Sequence, residues 1–555
     1  MTAPVLDRSD SRLVDEIVGR AGRPDFDRWA DQVERCGYCA RPVRLRGVVK
    51  RVDGTTYSTD AEPDRVLFVR CRNRRASVCP SCSYEYAGDM WQLLYAGAAG
   101  GRKGVPESVR THPLVFATLT APSFGPVHGT RTGGRSSRCR PPRGRPTVCP
   151  HSRPTWCTRI YTEYDPRLGE PLCADCYDYA GHAAFNWWAP ELWRRFTITL
   201  RRLLARRTGH TPTDFGRRCR ISFVKVAEFQ RRGVVHFHAL IRLDAAGDGY
   251  EPPPVALTTA DLADAVREAA GAVRLIVATG ESTPVVPALV GGHSERHGGD
   301  HPDQANEHTE RPTIAAVGDR SHSQTEERQH RDRSNHPGND ADPPARVPGG
   351  LPRVVGHTTT LHPPAGLVLR FGEQVDAQPV GGPTGELTPD RVAAYVAKYA
   401  TKSAEDFGLG ERRLTGRVLA GDGISAHIAR LVRTCWQLGE LEDYTGIRRW
   451  IHMAGFRGHF ASKSRRYSTT LGTIRGERRT FRRRQAAERA RQLGLDPIDE
   501  DITLVVGRWE FAGLGYLTGG DAALALSAAA RARERRQAAR DQLHTNTAED
   551  TSWTD

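Results

Sequence analysis

The chain has 555 residues, a formal charge of +15 and 38% apolar residues, which gives room for about two to four domains with substantial cores. No run approaches the ~20 apolar residues of a spanning helix, and MTAPVLDRSDSRLVDEIVGR lacks the apolar centre of a secretion signal, so the expectation is a cytoplasmic protein without membrane spans. The positive charge rests on 74 arginines and only six lysines, and it points to a polyanionic partner such as nucleic acid.

Twelve cysteines, several in close pairs, favour metal ligation in a reducing compartment. In chain order, CGYC at 36–39 and CPSC at 79–82 are two C-x2-C pairs whose thiolates suit one tetrahedral zinc ion. The expected ligands are Cys36, Cys39, Cys79 and Cys82, with Cys71 as a possible substitute. VFATLTAPSF at 115–124 reads as a strand closed by Pro122. A second cysteine block runs from Cys139 to Cys176. Cys173 and Cys176 are its clear pair, partners come from Cys139, Cys149, His151 and Cys157, and Cys149 and Cys157 are preferred. Four ligands leave no open position, so both zinc ions are expected to be structural. Cys219 and Cys435 stand alone as expected buried thiols.

WAPELWRRFTITLRRLLARR follows as an amphipathic helix with a basic face. ISFVKVAEFQRRGVVHFHALIRLD at 221–244 has the pattern of a β-hairpin. The strand period of two puts His236 and His238 on one face. If Arg231, Arg232 and Gly233 form a three-residue loop with Gly233 left-handed, Glu228 lies opposite His236, and Gln230 joins the same surface. Two imidazoles and a carboxylate leave coordination positions open for a substrate phosphate oxygen.

From about 245 to 360 the pattern dissolves into Pro, Gly, His, Asp and Arg, the expected signature of a mostly disordered insertion with one helix near TTADLADAVREAAGAVRLIV. His293, His297, His301 and His308 are irregularly spaced within it, as in a solvated linker. LVLRFGEQVDAQPV is a strand candidate, and LTPDRVAAYVAKYATKSAEDF a helix with Thr388 as N-cap and Pro389 in its first turn. On that helix Tyr395 and Tyr399 share a face, while Lys398 and Lys402 repeat the spacing beside them. A neighbouring ammonium helps to stabilise a phenolate nucleophile. Residues 424–500 are helical and basic in character, and a strand and helical tail follow.

FATLTAP (116–122), EFQRRGVVHFH (228–238) and YVAKYATK (395–402) resemble, in this order, the three motifs of rolling-circle replication initiators of the HUH endonuclease superfamily. The third is similar to the two-tyrosine form of single-stranded-DNA phage A proteins and of initiators from actinobacterial plasmids and integrative elements. The cysteine blocks, CYDYAGHAAFNWWAPELWRR and HMAGFRGHFASKSRRYS are most similar to the actinobacterial initiators, and the resemblance covers most of residues 30–480 outside the insertion.

The resemblance implies an α+β fold: an HUH-type antiparallel sheet with packed helices, interrupted by the zinc blocks and the insertion. It implies origin nicking and rejoining of single-stranded DNA through a 5′-phosphotyrosine. The nucleophiles would be Tyr395 and Tyr399, the supporting lysines Lys398 and Lys402, and the ligands of Mg²⁺ or Mn²⁺ His236 and His238. Glu228 as third ligand rests on the hairpin register.

GFRGHFASKSRRYSTT at 455–470 mixes cations, aromatics and hydroxyls as single-strand binders do, which nominates Arg457, Lys463, Arg465 and Arg466 for DNA contact. No G-x-x-x-x-G-K-[ST] occurs, so strand opening is expected to rely on a host helicase and replication machinery. The expected division is 30–90 zinc-binding; 110–245 first nuclease part with the 139–176 insertion; 246–360 insertion; 361–410 second nuclease part; 420–500 basic region; and 501–555 strand and tail. An HUH transposase and a non-catalytic zinc-dependent DNA-binding regulator stand as alternatives.

Overall fold

The computed structural model describes residues 8–50, 54–130, 138–142, 144–162, 165–277, 366–381, 387–401, 409, 424–492 and 506–551. Expectations for Lys402, for the four insertion histidines and for the whole 278–365 stretch lie outside these residues.

The N-terminal part holds α1 (Arg8–Ala21), α2 (Phe26–Arg35), β1 (Val43–Lys50), β2 (Thr56–Ser58), β3 (Leu67–Val69) and α3 (Pro80–Ala99). Then come β4 (Leu114–Leu119), α4 (Tyr179–Arg207), α5 (Pro212–Arg218), β5 (Cys219–Phe229), β6 (Val235–Ala245), α6 (Thr259–Ala272) and β7 (Leu275–Val277). The C-terminal part holds β8 (Leu367–Leu369), β9 (Val375–Pro379), α7 (Pro389–Ala400), α8 (Ala426–Leu438), β10 (Ala461–Lys463), α9 (Leu471–Gln492), β11 (Val506–Leu514) and α10 (Gly519–Thr551). Helices and antiparallel sheets are mixed, as an α+β class requires.

A five-stranded sheet in the order β10-β5-β6-β4-β9 forms the centre, with every pairing antiparallel. Alternation sorts its side chains. Val115, Ala117, Leu119, Phe237, Ala239 and Ile241 face the larger core, shared with α4, α6 and α8. Leu114, Phe116, Val224, Val226 and Leu240 face a smaller core under α3 and α7. Both faces are therefore covered, and β6 lies in the middle of the sheet.

Three differences from the sequence reading have clear causes. The C-terminal strand does not stand apart: β11 pairs along the whole of β1, from Val43–Leu514 to Lys50–Val506. A buried Arg20–Asp521 ion pair, 2.6 Å, joins the same two ends of the chain. The helix expected near TTADLADAVREAAGAVRLIV forms as α6, but it is part of the main fold rather than of an insertion, burying Leu262, Ala265, Val266 and Ala269 in the larger core. LVLRFGEQVDAQPV splits in two: β8 pairs with β7, Leu367 opposite Val277, and β9 extends the central sheet beside β4. The flanks of the 278–365 stretch are thus hydrogen-bonded neighbours, and a long connection closed there costs little more than a short one.

Candidate functional site

The β5–β6 hairpin has the expected register: Glu228 lies opposite His236, and Val226 opposite His238. Gly233 sits at φ 84°, where a side chain would be strained. Its N–H donates to the Gln230 carbonyl at 2.7 Å, and the Gln230 N–H donates to Val234 at 2.9 Å, which closes the three-residue loop. Buried groups clamp this turn. The Asn186 amide of α4 donates to the Gly233 and Ala454 carbonyls, both at 2.9 Å, and its oxygen accepts from the Val235 N–H at 3.0 Å. His427 of α8 donates from Nε2 to the Arg232 carbonyl at 2.9 Å, so its Nδ1 accepts from the Tyr179 hydroxyl at 3.0 Å. Burial holds His427 below its ordinary pKa, in the neutral form that both bonds require.

Three donor atoms converge beside the turn. Glu228 Oε2 lies 3.0 Å from Nε2 of both His236 and His238, and the two imidazole nitrogens are 2.9 Å apart. His238 Nδ1 is 3.1 Å from Thr118 Oγ1 of β4. With that nitrogen donating to Thr118, the His238 Nε2 lone pair points at its neighbours. Spacings near 3 Å match the edge of an octahedron whose metal–donor bonds are about 2.1 Å, and two imidazoles with one carboxylate suit a divalent ion. The residues fit such a cation. Gln230 does not join them, because its side-chain oxygen accepts from Arg232 Nε at 2.8 Å.

Helix α7 lies against this face. The Thr388 hydroxyl caps it, accepting from the Arg391 N–H at 3.3 Å. Val392, Ala393, Val396, Ala397 and Ala400 form its buried stripe, which leaves Tyr395 and Tyr399 turned along the sheet. Their rings lie 5.6 and 4.9 Å from the His238 ring and 4.6 Å from each other. Tyr395 is 44% exposed. Lys398 is exposed on the wall of a cleft of about 1150 Å³, whose lining also includes Arg70, Trp91, Arg478 and Arg482. Glu85 pairs with Arg70 at 2.7 Å, Arg478 at 3.0 Å and Arg482 at 3.3 Å, which fixes these guanidinium groups in place.

The cysteines regroup relative to the sequence reading. Sγ atoms of Cys39, Cys71, Cys79 and Cys82 lie within 4.8 Å of one another, so Cys71 stands where Cys36 was expected. Cys36 ends α2, and its Sγ contacts the Val33 carbonyl at 3.3 Å. The Cys39–Cys79 and Cys39–Cys82 separations are both 3.7 Å, against about 3.8 Å for the edge of a tetrahedron with 2.3 Å zinc–sulfur bonds. Hydrogen bonding from Cys39 is the largest influence on the Cys82 thiol and lowers it from its ordinary value.

In the second block Cys149, His151, Cys173 and Cys176 form the group. His151 Nδ1 lies 3.2 Å from Cys176 Sγ and 3.7 Å from Cys173 Sγ. Cys157 does not reach this set: its backbone pairs with Arg140, which turns its side chain toward Cys139. Cys219 and Cys435 are buried, as expected for lone thiols.

The residues nominated for DNA contact are mostly engaged by the protein. Arg457 stacks on Trp187 and Trp188, at 4.2 and 5.1 Å. Lys463 Nζ donates to the Ser464, Arg465 and Ser468 carbonyls at 3.0–3.3 Å. Arg466 pairs with Asp248, while Arg465 is exposed. Sequence reasoning gave no role to Thr118 or Asn186. Thr118 was legible as the polar residue on the Phe116 face of β4; Asn186 was not, because its partners lie 47, 49 and 268 residues away.

Residues 25–288 and 353–530 match the family model described as Replication initiator protein, pSAM2. The chain belongs to this family of replication initiators. This initiator is 37% identical over 543 residues to a replication initiator protein of Streptomyces ambofaciens, with 96% of each chain covered. No solved structure matches it. Among its described residues, no helix is long and apolar enough to cross a membrane.

Proposed function

We propose that this initiator is an HUH-type, two-tyrosine nicking and joining enzyme that starts rolling-circle replication of a plasmid or integrative element. The observation that carries the reading is the placement of Tyr395 and Tyr399 against His238 of the Glu228–His236–His238 group. Glu228, His236 and His238 would hold Mg²⁺ or Mn²⁺, which supplies Lewis-acid polarisation of the scissile phosphate. The sheet and α7 hold the phenols beside that phosphate, so the attack is effectively intramolecular.

In the first step a tyrosine Oη forms a bond to phosphorus and the P–O3′ bond breaks. The phenol gives up its proton and the departing 3′ oxygen gains one, which leaves a 5′-phosphotyrosine and a free 3′ hydroxyl for priming. The second tyrosine repeats the exchange on the displaced strand. Lys398 follows Tyr395 by three residues on α7, and the cleft that Lys398 lines offers cations and Trp91 to a single strand. Structural zinc is assigned to Cys39, Cys71, Cys79 and Cys82, and to Cys149, His151, Cys173 and Cys176.

The test is incubation of the purified protein with a labelled single-stranded origin oligonucleotide and Mg²⁺ or Mn²⁺, followed by a denaturing gel. A shifted, protease-sensitive band that disappears in the Tyr395→Phe/Tyr399→Phe variant is expected. Full nicking by that variant would overturn the mechanism.

A further inference from the structure

Residues 120–178 connect β4 to α4, and their described part contains no helix or strand. Isolated bridges at Val127–Pro171, Arg140–Cys157 and Val148–Pro154 provide its only sheet-like pairing among the described residues. Its own apolar cluster comprises Cys139, Cys157, Tyr161 and Leu168, with Leu172 partly buried beside them. Ordering a backbone costs about 1–2 kcal/mol per residue, which so small a cluster cannot offset. The Cys149–His151–Cys173–Cys176 group ties down only 149–151 and 173–176. Ala121, Phe124 and Tyr177 anchor the two ends of the segment in the larger core, so another tie is needed for its middle.

The side chains there already converge. His128 Nδ1, Cys139 Sγ and Cys157 Sγ lie within 4.8 Å of one another. Cys139 Sγ is 3.9 Å from His128 Nδ1; the Tyr161 hydroxyl is 3.1 Å from that nitrogen and 3.5 Å from Cys157 Sγ. The Gly129 N–H donates to Cys139 Sγ at 3.3 Å. Edges of about 3.3 to 3.8 Å are what a zinc tetrahedron with mixed N, O and S donors has. Two thiolates and an imidazole select zinc over the hard ions suited to Glu228 and its histidines.

We propose that His128, Cys139 and Cys157 bind a third zinc ion, with the Tyr161 hydroxyl at the fourth corner. Along the chain its ligands alternate with those of the neighbouring group: His128 and Cys139, then Cys149 and His151, then Cys157, then Cys173 and Cys176. Closing either site therefore shortens the loops that the other must close. The site also reaches the nuclease hairpin. The His128 N–H donates to Glu170, and its carbonyl accepts from the Gly169 N–H, both at 2.8 Å. Gly169 in turn packs on the hairpin turn so closely that a Cβ there would stand 2.4 Å from the Arg231 carbonyl carbon. The third ion braces, through two backbone bonds and one glycine contact, the turn that sets Glu228 opposite His236.

The experiment counts zinc in the full-length protein by native mass spectrometry and elemental analysis. Wild type is expected to carry three ions, and Cys139→Ser/Cys157→Ser one fewer. An unchanged zinc number in that variant would overturn the site. Because the variant could lose the whole segment, thiol footprinting of wild type with iodoacetamide provides an independent readout. Cys139 and Cys157 are expected to react only after zinc extraction, while Cys219 and Cys435 report buried thiols bound to no metal. Equal reactivity of Cys139 and Cys157 before and after extraction would overturn the proposal whatever the fate of the nicking reaction. Tyr161→Phe is expected to keep three ions and release one faster to a chelator; an unchanged release rate removes Tyr161 from the fourth corner.

Discussion

The β5–β6 hairpin and the 120–178 segment both gather metal-binding side chains, but they do so by opposite means. In the hairpin, eleven consecutive cross-strand pairs, from Cys219–Ala245 to Phe229–Val235, fix three donors before any ion arrives. In the segment, scattered bridges and a handful of apolar contacts leave the placement of the ligands to the ligands themselves. A site built on a ladder is preorganised and can leave coordination positions open for chemistry. One built on loops is organised by its ion, which must then be fully enclosed.

Zinc extraction should break this comparison most visibly. Hydrogen exchange after chelation is expected to show loss of protection throughout 120–178 and around Cys39–Cys82, while the amides of β4, β5 and β6 stay protected. Equal loss in the hairpin would mean that its register also depends on the ions. A smaller effect, on the order of 3 kcal/mol, is expected from Asn186→Ala. It strips partners from the Gly233 carbonyl, the Val235 N–H and the Ala454 carbonyl, at about 1–3 kcal/mol for each group left buried and unpaired. Urea unfolding would measure it; a midpoint unchanged from wild type would show that the turn holds without α4.

The same contrast explains what the sequence disclosed. The Glu228–His236 register followed from period-two alternation and from one glycine in a three-residue turn, both local features. Strand β4 and the capped tyrosine helix were legible for the same reason. The cysteine partners were not, since pairing by spacing alone favours the nearest C-x2-C repeat. Cys71 displaced Cys36 because α2 keeps Cys36 on its own last turn, and His151 displaced Cys157 because the Arg140–Cys157 bridge turns that thiol the other way. The return of β11 to β1 lay further out of reach: nothing within either strand announces a partner more than 450 residues away.

Where the two regions touch, Gly169→Ala tests whether one supports the other. At φ 89° an L side chain costs about 1–2 kcal/mol even in open space, and here the new Cβ also meets the Arg231 backbone. Stability is expected to fall by about that amount or more, with nicking reduced further than origin binding. A variant that lost stability but nicked at the wild-type rate would separate the segment from the hairpin turn.

The finest test lies within the hairpin site and changes no backbone contact. Thr118→Val keeps the shape of the β4 side chain but removes the oxygen 3.1 Å from His238 Nδ1. If the ladder alone orients the donors, the variant should behave as wild type. If the tautomer matters as well, Nδ1 loses the partner that keeps the Nε2 lone pair directed at Glu228 and His236, and metal affinity should fall by about 10- to 100-fold, the usual consequence of removing a hydrogen bond behind a metal-bound histidine. Mn²⁺ titration of the nicking reaction distinguishes the two cases. A rise in the Mn²⁺ requirement with the maximal rate restored at saturation assigns Thr118 to metal retention. An unchanged requirement would mean that strand pairing by itself suffices to prepare the site, and the contrast with the loop-built cysteine sites would then be sharper still.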